Sequence, residues 1–166
     1  MAVMIWQKLS MDELITRLTA DFPTLRFVEG KKLCWSPDGE QIFYQNTGSG
    51  EAVNGLLHEV AHAVLGHRTY QSDLELLQKE VDAWQQARSL ARKYGIVLDP
   101  EHVQNCLDTY RDWIFKRSRC PVCGTHGMQR TKTQYGCFNC DHLWSVSNSR
   151  FCRPYRRSGN IQKAAL

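Results

Sequence analysis

The sequence contains no long apolar run and no recognisable secretion signal. No stretch among its 166 residues approaches the roughly 18 to 20 consecutive apolar residues that a membrane-spanning helix needs. Residues 1–8 lack the basic start and the longer apolar segment of a signal peptide. These absences predict a cytoplasmic protein that has no membrane partner.

Acidic residues are scarce in the last third of the chain. Residues 1–110 contain 10 Lys and Arg against 15 Asp and Glu, a net charge of −5. Residues 111–166 contain 11 Lys and Arg against only 2 Asp and Glu, a net charge of +9. A mildly acidic body followed by a strongly basic end predicts contact with a polyanion through the C-terminal part.

The seven cysteines are an odd number, and four of them form two Cys-x-x-Cys pairs, Cys120/Cys123 and Cys137/Cys140. In a chain without a secretion signal, such pairs indicate metal binding rather than disulfides. Their spacing is that of a zinc ribbon, in which four thiolates hold one structural zinc ion. We expect this ion to supply much of the folding free energy of so small a unit. Redox-active cysteine pairs are the alternative, but no thioredoxin-like pattern surrounds them.

Basic and aromatic residues alternate around these cysteines and beyond them. Because cations track phosphates and aromatic rings stack on bases, this part of the chain is a candidate for contact with DNA or RNA. The alternative is a solubilising basic tail or a surface that docks a peptide. The basic candidates for nucleic-acid contact are Arg117, Arg119, Arg130, Lys132, Arg153, Arg156 and Arg157.

The segment Leu56–His67 contains a second metal signal, the pattern His-Glu-x-x-His. Apolar residues at helical spacing predict a buried helix, and on a helix His58 and His62 lie on one face. Two such histidines can hold one zinc ion, and Glu59 is placed to act as general base toward a water that the ion activates. The alternative is a core helix whose histidines are merely hydrogen-bonded, which a Glu between them disfavours.

The third ligand that a zinc peptidase commonly needs is predicted to be Glu80, on a helix over residues 74–94. The neighbours of Glu80 one turn away are apolar, and a carboxylate on a buried face needs a cation or several hydrogen-bond donors. The alternative is an ion-paired Glu at the helix margin. His67 is a weaker candidate, because five residues beyond His62 a side chain points about 140° round a continuing helix.

The rest of the chain predicts an α+β fold with three to four helices and a small antiparallel sheet. A capping box of Ser10 and Glu13 begins the first helix. Three short extended segments precede the His-Glu-x-x-His helix, and the last, residues 41–45, is our candidate for an edge strand that holds substrate. Another helix is predicted over residues 99–116.

The predicted units are a metallopeptidase domain (1–117), a zinc ribbon (118–147) and a flexible basic tail (148–166).

Two segments together resemble the ImmA/IrrE-type metallopeptidases, namely HEVAHAVLGH at residues 58–67 and EVDAW at residues 80–84. The pattern of that family is His-Glu-x-x-His, often continued by Leu-Gly-His, and then a helix with Glu-Ala-Asp-x-aromatic. The resemblance covers about residues 40–95, and Val81 departs from the small residue that is usual at its position.

The resemblance implies a zincin-like domain of the gluzincin type, and it implies a role for each matching residue. It assigns the zinc ligands His58, His62 and Glu80 and the catalytic acid/base Glu59. Members of the family typically cleave transcriptional repressors of mobile elements or stress regulons, so it implies a repressor as the partner protein.

These patterns predict a zinc-dependent endopeptidase with one catalytic and one structural zinc ion, acting on a specific regulatory or DNA-bound protein. The first alternative is a SprT-like, DNA-dependent protease, which shares the order of a His-Glu-x-x-His domain and a ribbon. Such proteins are expected to use a third His in a His-Gly context, and none follows His62. The second alternative is a zincin-like module that binds protein or nucleic acid without turnover.

Overall fold

The structure of the chain, a computed structural model, describes residues 9–148 and the backbone of residues 156–158. This part of the chain is α+β, as predicted, and no helix in it is long and apolar enough to cross a membrane. The predicted helices over residues 74–94 and 99–116 are confirmed to within two residues at each end. The elements are α1 (Met11–Asp21), β1 (Arg26–Glu29), β2 (Cys34–Ser36), β3 (Gln41–Tyr44), α2 (Gly50–Val64), α3 (Asp73–Tyr94), α4 (Pro100–Ser118), β4 (Met128–Thr131), β5 (Gln134–Gly136), β6 (Leu143–Val146) and β7 (Arg156–Ser158).

The chain divides into two compact units, and two of the three boundaries between them fall inside helices. The first unit comprises residues 1–68 and 81–103, and the second comprises residues 69–80 and 104–166. Helix α3 passes from the second unit into the first, and α4 passes from the first unit back into the second. The domain limits predicted near residues 117 and 147 stay predictions.

Side-chain caps explain where the first two long helices begin. The Ser10 hydroxyl accepts a hydrogen bond from the Glu13 N–H (3.2 Å), and the Glu13 carboxylate accepts one from the Ser10 N–H (2.9 Å), which confirms the predicted capping box. The Ser49 hydroxyl caps α2 by accepting from the Ala52 N–H (3.1 Å). In both helices a side-chain oxygen thus replaces a carbonyl acceptor that the first turn lacks.

The sheet of the first unit is mixed, which corrects the prediction of an antiparallel sheet. Strand β3 is parallel to β1 and antiparallel to β2, in the order β1-β3-β2. The prediction that residues 41–45 form an edge strand is therefore wrong, because both sides of β3 are already paired. The turn signals between the extended segments suggested hairpins between neighbouring strands. Strands β1 and β2 do not pair with each other, because β3 lies between them. Within the described residues, the edge strands of this sheet are β1 and β2.

Helix α2 is buried along most of its length, which makes it a rigid support for the side chains that it carries. It contacts both β2 and β3. Burying an aliphatic side chain of this kind contributes about 1.5–3 kcal/mol. The side chains of α2 that are fully buried are those of Leu56, Leu57, Val60 and Ala61.

The four-cysteine segment, residues 118–148, lies in the second unit and carries strands β4 to β6. With β7 they form an antiparallel sheet in the order β4-β5-β6-β7, so three residues of the predicted flexible tail, Arg156–Ser158, are a strand. Gly127 is required here, because a Cβ at this position would lie 2.5 Å from the ring of Trp144. The small core of the segment consists of Cys120, Tyr135, Cys137, Trp144 and Val146.

Candidate metal centres

His58 and His62 lie one turn apart on α2, and their Nε2 atoms are 3.0 Å apart. The His58 ring, only 8% exposed, stacks on the indole of Trp84 with a centroid distance of 4.2 Å. Two nitrogens that bind one tetrahedral zinc ion at about 2.0–2.1 Å lie about 3.3–3.4 Å from each other. The two rings therefore converge as the spacing predicts, at a separation that fits a shared metal ion and also the hydrogen bond between them that was the alternative.

Glu80 joins these histidines, as the apolar surroundings of its position predict. The ligand atoms of His58, His62 and Glu80 all lie within 4.8 Å of one another. Glu80 is 6% exposed, so it does not occupy the solvated helix margin that was the alternative. The position of Glu80 near the histidines follows from the helix that carries it. Trp84 lies one turn further along α3, and its indole stacks on the ring of His58. This His58/His62/Glu80 group is able to hold a metal ion.

Glu59 is held by a contact that the sequence analysis missed. Its Oε2 atom accepts a hydrogen bond from the backbone N–H of Trp35, in β2, at 2.6 Å. The two residues are 24 positions apart, and no local pattern pairs them. Since the Trp35 N–H donates to Glu59 and not to β3, the outer edge of β2 faces the carboxylate. Glu59 thus follows His58 on α2 with one of its oxygens oriented by the backbone of β2.

His67 lies next to His62, although it is not a member of the His58/His62/Glu80 group. Helix α2 ends at Val64, and Gly66 adopts a left-handed φ of 66°, a conformation that favours glycine. The resulting turn brings the Nδ1 atom of His67 to 2.9 Å from the Nδ1 atom of His62. The argument that His67 points away holds only for a continuing helix, and the helix has ended.

The four paired cysteines converge as predicted, with ligand atoms all within 4.8 Å of one another. The Sγ atoms of Cys120 and Cys140 are 3.7 Å apart, and those of Cys123 and Cys137 are 3.4 Å apart. Four sulfurs at about 2.3 Å from a tetrahedral zinc ion lie about 3.8 Å from each other, so the group fits such an ion.

The surroundings of Cys123 favour the thiolate that binds metals. Hydrogen bonds from the backbone N–H of Thr125, then from its hydroxyl and from the side chain of Asn139, lower the pKa of the Cys123 thiol to about 5. Gly124 allows the close turn after this cysteine, with a left-handed φ of 77°. The hydrogen bonds around Cys123 thus favour the ionised form of its sulfur.

Arg117 was predicted as a nucleic-acid contact, and the structure corrects this. Its guanidinium is 1% exposed and donates through Nε to the Asp73 carboxylate at 2.7 Å. It also stacks over the ring of Trp113 at 4.1 Å and donates to the carbonyl of Lys132 at 3.2 Å. The hydroxyl of Tyr135 donates to the same carboxylate. Arg117 is therefore a buried structural cation with no path to a phosphate.

The other basic candidates among the described residues are exposed. The guanidinium of Arg130 lies over the ring of Phe138, 5.4 Å from its centroid, and this ring is 65% exposed. The Lys132 ammonium lies 4.4 Å from the centroid of Tyr70, and the side chain of Arg119 is exposed. The candidates that lie outside the described side chains are Arg153, Arg156 and Arg157.

Comparison of the chain with protein-family models, with curated proteins and with solved structures finds no match. The resemblance to the ImmA/IrrE-type metallopeptidases therefore stays a prediction that rests on two motifs. The geometry of the two metal groups is what supports a function for this chain.

Proposed function

We propose that this chain is a zinc-dependent endopeptidase with a structural zinc ribbon. The observation that carries the proposal is the convergence of His58, His62 and Glu80 within 4.8 Å, beside a second carboxylate on Glu59. Two histidines and one carboxylate are a common donor set of catalytic zinc, and three protein ligands leave one position open. Zinc held there would supply Lewis acidity, polarising a substrate carbonyl and lowering the pKa of a water molecule.

Glu59 carries out the proton transfers of the proposed hydrolysis. Trp35 engages its Oε2 atom, so Oε1 is the oxygen that accepts a proton from the attacking water and returns it to the nitrogen of the leaving amine. The hydrogen bond from the backbone restricts rotation of the carboxylate, which keeps Oε1 in one orientation. Glu59 lies next to His58 in the chain, so this oxygen is carried by the same rigid helix as the metal-binding histidines.

The substrate segment is proposed to extend along β2. This strand is an edge of the sheet in the described part of the chain, and its outer side faces Glu59. Because the outward N–H of Trp35 already donates to Glu59, an extended peptide beside β2 would pair with the outward carbonyl of Trp35, which fixes its register. Strand β2 thus takes the role that the sequence analysis gave to β3. The protein cleaved is proposed to be a regulatory or DNA-bound protein such as a transcriptional repressor, as the family resemblance implies.

Zinc stoichiometry tests the metal assignment. Elemental analysis is expected to find two zinc ions in the wild type and one in Glu80→Ala. Glu75→Ala is the matched control, because Glu75 lies on the same helix but pairs with Lys79 at 2.8 Å, and it should keep both ions. One zinc ion in the wild type, unaffected by Glu80→Ala, would overturn the peptidase assignment.

Glu59→Gln tests catalysis separately from binding. It should keep both zinc ions and lose about 100- to 10,000-fold in cleavage rate, because it removes the general base. Mass spectrometry of new protein N-termini in cells with wild type or Glu59→Gln would identify the substrate. Full biological activity of Glu59→Gln would instead favour a non-catalytic binding module.

We also propose that the ribbon contacts single-stranded nucleic acid, and the exposed Phe138 with Arg130 over its ring supports this. Phe138→Ala should weaken binding of a labelled oligonucleotide about 5- to 100-fold, as expected for loss of one stacked base. Arg92→Ala, an exposed cation of the first unit, is the control. Absence of binding by the wild type at low salt would contradict the proposal. Cleavage that requires the oligonucleotide would favour the DNA-dependent protease.

A further inference from the structure

We propose that His67 is a positioning residue for the metal site. It accepts a hydrogen bond from Nδ1 of His62 and so holds the His62 ring in the tautomer whose Nε2 presents its lone pair to a metal ion. The inference rests on the proposed function, since it takes His62 to be a ligand. It adds a residue that the His-Glu-x-x-His motif does not contain.

The direction of this hydrogen bond follows from the positions of the ring nitrogens. Nε2 of His62 is 3.0 Å from Nε2 of His58, so the two Nε2 atoms face the same point. A nitrogen that binds a metal must offer its lone pair, so the proton of a neutral His62 lies on Nδ1. Nδ1 of His67 is 2.9 Å from that atom and is therefore the acceptor. His67 in turn carries its own proton on Nε2.

The backbone of His67 is anchored on both sides, so the acceptor has a defined place. Its N–H donates to the carbonyl of His62 at 2.9 Å, which closes the turn through Gly66. Its carbonyl accepts from the indole N–H of Trp35 at 2.8 Å. Trp35 therefore makes two hydrogen bonds at the site. Its backbone N–H orients Glu59, and its indole N–H anchors the segment that carries His67.

The two histidine ligands are thus oriented by different means. The flat face of His58 packs on the indole of Trp84, which limits rotation of the ring by steric contact. The edge of His62 is held by the ring of His67, at a centroid distance of 5.0 Å and an interplanar angle of 65°. A hydrogen bond to the non-ligating nitrogen selects a tautomer as well as an orientation, which ring packing cannot do.

The test compares His67→Phe, which keeps a planar ring but removes the acceptor, with His67→Gln, which keeps an acceptor. We expect His67→Phe to weaken zinc affinity at the His58/His62/Glu80 group by about 10- to 100-fold, measured by competition with a chelator. His67→Gln should recover most of this loss. Trp35→Phe, which retains the backbone N–H, should weaken affinity less than His67→Phe. The zinc ion of the four-cysteine segment is the internal control and should be unaffected.

A spectroscopic readout separates positioning from simple packing. In long-range ¹H–¹⁵N correlation spectra of the zinc-loaded proteins, the Nδ1 proton of His62 should be protected from exchange in the wild type and in His67→Gln, and it should exchange faster in His67→Ala, which lacks the acceptor. Equal losses of affinity in His67→Phe and His67→Gln would overturn the proposal, and so would wild-type affinity in His67→Phe. If His67→Phe does not fold, His67→Ala removes the acceptor without steric demand and should show the same loss. A wild type that binds no zinc at this group would instead refute the proposed function.

Discussion

The histidines of the first candidate metal group project from α2, which has four fully buried apolar side chains in the first unit. The cysteine ligands instead lie in the turns of the four-cysteine segment, whose small core has five residues, two of them ligands themselves. A site built on a packed helix exists before a metal arrives, whereas a site that forms part of its own core does not. The comparison predicts that an ion at the first group would serve chemistry and an ion at the second would serve folding.

Removal of zinc from the four-cysteine segment should have the largest effect. Cys137→Ser eliminates a buried ligand, and structural zinc contributes on the order of 10 kcal/mol to the folding of such units. We expect the indole N–H of Trp144, which donates to the Arg117 carbonyl at 3.0 Å, to lose its protection from hydrogen exchange. NMR provides the measurement. Cys106→Ser, outside both metal groups, is the control, and a protected Trp144 in metal-free Cys137→Ser would contradict the comparison.

Breaking the buried ion pair of the second unit should be the next largest effect. Arg117→Met removes the cation beside Asp73, whose side chain is only 2% exposed, and an uncompensated buried charge costs about 3–5 kcal/mol. Denaturant unfolding of the zinc-loaded protein measures this loss. The double variant Arg117→Met/Asp73→Leu should recover much of it. A stable single variant would show that Arg117 is not needed to hold the segment.

Truncation in α2 should weaken the first unit whether or not metal is present. Leu57 is fully buried, so Leu57→Ala should cost about 2–5 kcal/mol of unfolding free energy. Unfolding curves with and without chelator should show the same decrease. The exposed Leu74→Ala serves as a control with little change. A decrease that appears only with zinc would mean that the first unit also depends on its metal.

The smallest effect is expected at Asp21, an exposed carboxylate of the first unit. The hydroxyl of Tyr94 donates to it at 2.6 Å, and this bond, followed by Lys93, lowers the pKa of Asp21. A lowered folded pKa stabilises the protein above the unfolded value of about 3.9, and the contribution is lost as pH falls through the folded value. Asp21→Asn should therefore lower the denaturant midpoint slightly at pH 7. In chelator at a pH below the folded pKa, the difference from the wild type should vanish, and a difference that persists there would contradict the assignment.

Short-range patterns predicted both metal groups because their ligands are close in the chain. Helical spacing places His58 and His62 together, and the turn within each Cys-x-x-Cys pair places two sulfurs together. Glu80 was found by a different signal, since a carboxylate with apolar neighbours on one helix face has to be buried with a partner. The structure brings all of these residues into the two groups that were expected.

Arg117 shows how the same reasoning failed. It was grouped with the exposed cations because basic residues surround it, yet it follows the buried Trp113 by four positions on α4 and so continues a buried stripe. That spacing was a signal that could have identified it. Its partner Asp73 lies 44 residues away, which no local pattern indicates.

The sequence by itself determined the residues of both candidate metal groups, because helix periodicity, tight turns and the apolar neighbours of Glu80 are all patterns that act over a few residues. Only the tertiary structure decided that β3 lies between β1 and β2, that Trp35 holds Glu59, and that His67 returns to His62 after the helix ends. Strand order and cross-chain hydrogen bonds depend on which distant surfaces pack together to bury apolar area. That choice is made by the whole chain, and no single segment encodes it.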